Sequence, residues 1–80
     1  MRYVYIVRCC DMSLYTGITT DVTRRIEEHN TDPKGARYTK MRRPVELVRF
    51  QACENKQEAA KLERSIKQMR REEKQTLIDR

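Results

Sequence analysis

The stretch MRYVYIVRCCDMSLYTG, residues 1–17, decides the fold. Its first half, Tyr3-Val4-Tyr5-Ile6-Val7, is a run of aromatic and β-branched side chains that suit a pleated, half-buried backbone. It predicts a strand over about residues 2–8. Side chains alternate across a strand, so Tyr3, Tyr5 and Val7 share one face and Val4, Ile6 and Arg8 the other. Asp11-Met12-Ser13 reads as a turn, and Leu14 to Gly17 as a second, short strand. The simplest pairing of the two is an antiparallel hairpin.

Working outward, Thr19-Thr20-Asp21 supplies helix-capping oxygens ahead of Val22, and a helix is expected to run to about Asn30. Thr31-Asp32-Pro33-Lys34-Gly35 breaks it, and a loop rich in basic residues leads to Pro44. Val45 to Phe50 alternates enough to form a third strand. From about Lys56 a second helix is expected, its apolar stripe carried by Ala59, Leu62, Ile66 and Met69. These elements predict an α+β domain spanning residues 1–80, with a small, three-stranded, largely antiparallel sheet flanked by helices.

Composition narrows the function classes. With 80 residues the core is thin, because so short a chain buries only about 60% of the surface its unfolded form exposes. No apolar run approaches the roughly 20 residues that span a bilayer. No secretory signal is visible at the N-terminus, so the expected location is cytoplasmic, without membrane association. The three cysteines, Cys9, Cys10 and Cys53, include no CxxC pair, which argues against a structural zinc site. Cys9 and Cys10, being adjacent on a strand, should face opposite ways.

The net charge of +6 is unevenly placed. Residues 1–30 balance four basic against four acidic side chains, whereas residues 31–50 hold six against two. The excess centres on Lys34, Arg37, Lys40, Arg42, Arg43 and Arg49, a distribution that attracts phosphate backbones without reading sequence. A solubilising surface is the plain alternative.

Helix geometry separates two neighbouring arginines. Val22 and Ile26 define the buried stripe of the first helix, with Arg25 and His29 on its flank and Arg24 turned to solvent. On the last helix Glu63 stands at the edge of the apolar stripe, while Lys61, Arg64, Lys67 and Arg71 hold the far side. That is a place where a carboxylate could meet a cation near a docked phosphate. An ordinary ion pair with Lys67, one turn on, would use the same position. Singly, the tyrosines read as packing and the histidine as a partner for the helix dipole.

Taken in order, these residues resemble the GIY-YIG nuclease family. Its first motif is Tyr3-Val4-Tyr5, with tyrosine where the family has glycine, and its second is Tyr15-Thr16-Gly17. Arg25 follows ten residues after the second tyrosine, His29 four further on, and Glu63 on a later helix. The YTGIT, EHN and RRPVEL stretches are similar to those of the small stand-alone bacterial members. No asparagine follows Glu63, as one does in some family enzymes.

The resemblance implies a metal-dependent endonuclease that hydrolyses phosphodiester bonds in nucleic acid, with DNA the expected substrate. It implies Tyr5, Tyr15, Arg25, His29 and Glu63 as catalytic residues, Glu63 holding one Mg²⁺ or Mn²⁺. Arg25 would donate to nonbridging oxygens, and one of Tyr5, Tyr15 and His29 would be the general base. Gly17 would let backbone approach the phosphate or the next helix. Lys34, Arg37, Lys40, Arg42 and Arg43 would hold flanking phosphates, and a protein partner could supply specificity. Two other readings use the same residues. One is a non-catalytic nucleic-acid-binding module that keeps the fold, and the other is an interaction protein whose basic surface meets an acidic partner.

Overall fold

The structure, a computed structural model, describes residues 1–31 and 37–80, without the side chains of residues 37 and 38. Strand β1 (Arg2–Arg8) lies in the centre of a three-stranded sheet, between β2 (Leu14–Thr19) and β3 (Glu46–Cys53). Both neighbours run antiparallel to it, as the hairpin reading expects. The β1–β2 turn closes through Cys9 and Ser13, with Met12 in the left-handed region at φ 71°. Asp11 Oδ1 accepts from the Ser13 backbone N–H at 3.0 Å and holds that turn.

Alternation along β1 builds two cores. Val4 and Ile6 pack with Cys53, Ala59 and Ile66 on one face, under helix α3 (Lys56–Lys67) and helix α4 (Arg71–Ile78). Tyr5, Val7 and Cys9 pack with Val45 on the other face, where Tyr15, Ile26 and Leu47 close over them. That second face carries helix α1 (Val22–Thr31) and the one-turn helix α2 (Arg37–Lys40). The two buried cysteines thus belong to separate cores, and Cys10 is exposed. Among the described residues no helix is long and apolar enough to cross a membrane.

Three expectations are corrected. The basic segment before Pro44 is not loop throughout, because Arg37–Lys40 closes one helical turn. The third strand starts at Glu46 and continues to Cys53, with a register shift opposite Ile6 and Val7. The C-terminal helix is two helices. Gln68 caps α3 by donating to the Arg64 carbonyl at 3.2 Å, and Arg70 starts α4 as its backbone N–H donates to Glu73 at 3.0 Å. Leu62 and Met69 nevertheless reach the core, so the apolar stripe is continuous across the break.

Candidate active site

The site forms where β1 and β2 face α1. Tyr5 and Gly17 are paired across the two strands, and Tyr15 lies two residues before Gly17 on the same face. Gly17 has no positive φ, so it is not there for a turn. It is there for space: a β-carbon at Gly17 would stand 2.5 Å from the Tyr5 hydroxyl oxygen. The Tyr5 ring therefore lies over Gly17, in the space that the absence of a side chain leaves.

Asp21 starts α1, its Oδ1 accepting from the Arg24 backbone N–H at 3.0 Å. The helix then sets its functional side chains by periodicity. His29, expected on the flank of the buried stripe, is its centre and is fully buried, while Val22 and Ile26 are half-buried. Burial is tolerated because both ring nitrogens have partners. Nε2 lies 2.7 Å from the Tyr5 hydroxyl and Nδ1 lies 2.6 Å from the Thr39 hydroxyl. Tyr15 packs edge-on against the imidazole, with ring centroids 5.4 Å apart.

The electrostatics follow from burial. His29 is lowered to about 4, first by loss of solvent and then by the nearby positive charge of Arg25. At neutral pH the imidazole is uncharged. Burial also raises the Tyr5 phenol above its ordinary value, while the Arg25 guanidinium beside it works the other way. Arg25 donates to Glu28 at 3.0 Å and keeps 26% of its side chain exposed, against 61% for Arg24. The helix-face assignment that set these two arginines apart holds.

Glu63 approaches from α3, which packs on β2 and β1 from the opposite side of the sheet. Its charge is felt at Tyr5, and its carboxylate pairs with Lys67 at 3.4 Å, the ordinary helical partner anticipated from the spacing. The described residues hold no cluster of three or more His, Cys, Asp or Glu able to cage a metal ion.

The basic set is divided. Lys34 and the Arg37 side chain lie outside the described residues. Lys40 is exposed at the end of α2. Arg42 pairs with Asp11 at 3.1 Å, across the β1–β2 turn. Arg43 serves α1: its Nε donates to the His29 carbonyl and its Nη2 to the Glu28 carbonyl at 3.4 Å, capping the helix end. Arg42 and Arg43 thus each engage a protein partner and have half-buried side chains.

Two residues that position the site carried no sequence signal. Thr39 is fully buried against His29, ten positions away in an apparently polar stretch. The Asn30 amide donates to the Val45 carbonyl at 3.1 Å and accepts from its N–H at 2.7 Å, as a strand neighbour would.

Comparison with known proteins agrees with this arrangement. The family model for the GIY-YIG catalytic domain matches residues 1–76. A UPF0213 protein of Desulfotalea psychrophila is 55% identical over 76 residues, covering 95% of this chain and 69% of the relative. A UPF0213 protein of Staphylococcus aureus is 53% identical over 77 residues, covering 96% and 93%. The solution NMR structure of a UPF0213 protein from Bacillus halodurans superposes with a TM-score of 0.64 at 46% identity, covering 99% of this chain and 84% of that one. Carrying both tyrosine motifs on one hairpin and the arginine and histidine on the helix that follows, the chain belongs to the GIY-YIG family, among its small UPF0213 members.

Proposed function

We propose that this protein is a divalent-metal-dependent endonuclease that hydrolyses phosphodiester bonds in DNA. The observation that carries the proposal is the buried Tyr5–His29 pair, 2.7 Å apart, with Arg25 and Tyr15 gathered around it. A phenol bonded to a neutral imidazole and faced by a guanidinium is set up to handle a proton next to an anion.

Glu63 fits a metal of the kind that keeps most of its water ligands. It is a lone hard carboxylate, 26% exposed, whose Lys67 partner is a half-exposed cation that can swing aside. Glu63 would hold Mg²⁺ or Mn²⁺ there. When bound, such an ion supplies Lewis-acid stabilisation of the leaving oxygen.

The remaining roles fall to the chain itself. Arg25 donates to a nonbridging phosphate oxygen, where charge must be stabilised as the bond breaks. Tyr5 and Tyr15 orient the attacking water, and as its proton passes to the Tyr5 oxygen the phenol's own proton passes along the hydrogen bond to His29 Nε2. Exposed Lys40 holds a flanking phosphate, giving a salt-dependent affinity without sequence preference. Specificity for a particular DNA structure would come from a protein partner.

The test is a labelled panel of duplex, single-stranded, flap and branched DNA, plus RNA, incubated with Mg²⁺, Mn²⁺ or EDTA. Wild-type protein and Glu63→Ala are compared. Metal-dependent cutting lost in the variant supports the nuclease. Salt-sensitive binding with no cutting under any condition supports a non-catalytic binding module in its place.

A further inference from the structure

The Thr39 hydroxyl is as buried as His29 and only 2.6 Å from Nδ1. A neutral imidazole has one N–H, so one ring nitrogen donates and the other accepts. The surroundings of Tyr5 decide which.

The Arg25 guanidinium, which can only donate, lies beside the Tyr5 oxygen. It draws the phenol lone pairs toward itself, so the phenol proton turns away from it. Tyr5 is 1% exposed, and the acceptor within reach of its proton is His29 Nε2 at 2.7 Å. With Nε2 accepting, the ring proton must sit on Nδ1, and a buried Nδ1–H needs an acceptor. Thr39 Oγ1 is in place to be that acceptor. The opposite tautomer would make Nε2 a donor to Tyr5 and push the phenol proton toward a guanidinium.

We propose that Thr39 is a positioning residue that holds His29 in its Nδ1–H tautomer, so that Nε2 accepts the Tyr5 hydroxyl proton. The phenol is thereby pinned with its lone pairs facing Arg25, the side on which a phosphate would dock. The catalytic half of this proposal rests on the nuclease reading. The tautomer half does not.

The experiment exploits composition, because His29 is the only histidine in the chain. Long-range ¹H–¹⁵N correlation spectra of the labelled protein near pH 7 report the state of each ring nitrogen directly. Wild type should show Nδ1 protonated and Nε2 unprotonated. Thr39→Val, which keeps the shape and removes the hydroxyl, should shift the population toward Nε2–H, and Thr39→Ser should restore Nδ1–H. An Nε2–H wild type, or a folded Thr39→Val that stays fully Nδ1–H, overturns the proposal. If Thr39→Val does not fold, the wild-type spectrum alone still decides the assignment.

In cleavage assays Thr39→Val should lower kcat at least tenfold with KM little changed, and Thr39→Ser should recover most of it. A kcat equal to wild type alongside the shifted tautomer overturns the positioning role. If wild type cuts nothing, the nuclease reading fails while the tautomer assignment stands on its own spectrum.

Discussion

Gly17 lies directly beneath Tyr5: the two are cross-strand partners, and a β-carbon on Gly17 would stand 2.5 Å from the Tyr5 oxygen and 2.7 Å from Cζ. The ring has little freedom to give way, because it is buried and its hydroxyl is bonded to His29. Gly17→Ala should therefore push the phenol off its partner. Overpacking of this kind costs about 1–3 kcal/mol of stability, and displacing a reacting group by an ångström costs roughly 100-fold in rate. Urea unfolding and cleavage of a preferred substrate read the two effects. A variant as stable and as active as wild type would show that Gly17 does not shape the site.

Arg25 and Arg24 are adjacent but face different surroundings, and their loss should differ accordingly. Arg25→Ala removes the guanidinium beside Tyr5 and should lower kcat by about 10²–10³-fold, the usual cost of a lost transition-state donor. Arg24→Ala removes a largely exposed side chain whose pairing to Glu28, at 3.9 Å, is long, so stability should stay within about 0.5 kcal/mol. Its effect on cleavage should be limited to weaker, more salt-sensitive binding. Equal loss of kcat in both variants would refute this division of α1.

How far the sequence could be read follows from what each signal measures. The alternation of Tyr3 to Val7 showed which side chains share a face, and the two cores divide along it. The three-and-four spacing of Ala59, Leu62, Ile66 and Met69 showed which residues reach the core, but not that α3 stops at Lys67. That break contains neither proline nor glycine, and it depends on backbone capping at Gln68 and Arg70. His29 was legible as a site residue, whereas its complete burial was not. A polar ring can be buried only if partners from other segments satisfy both nitrogens, and Thr39 and Tyr5 are remote in sequence. In sequence Arg43 is one basic residue among several; its role at the end of α1 depends on a contact 14 residues away.

The buried imidazole has a consequence for acid stability. His29 titrates at about 4 in the fold, whereas the unfolded chain's histidine titrates near 6.5. Between those values the unfolded chain binds more protons, so stability rises with pH across that window. The contribution is complete above about pH 6.5 and is lost as pH falls toward 4, with a size on the order of 3 kcal/mol at most. An NMR titration of the single histidine should give a midpoint near 4. Urea midpoints should fall more steeply with acid in wild type than in His29→Gln. A midpoint near 6.5 would mean that the ring is solvated and not locked between Tyr5 and Thr39.

Arg43 offers the last contrast, between a phosphate contact and a helix cap. Its guanidinium donates to the carbonyls of Glu28 and His29, at the negative end of α1, and thereby braces the residue that carries the site's imidazole. Arg43→Ala should cost about 1–2 kcal/mol of unfolding free energy, from two lost charge-assisted bonds and the helix-end interaction. Exposed Lys40 makes the comparison: Lys40→Ala should leave the urea midpoint unchanged and reduce the salt slope of nucleic-acid binding by about one. The cap assignment requires the two variants to separate on these two axes. If Arg43→Ala also keeps the wild-type midpoint and only flattens the salt dependence, its guanidinium is serving the nucleic acid and α1 ends securely without it.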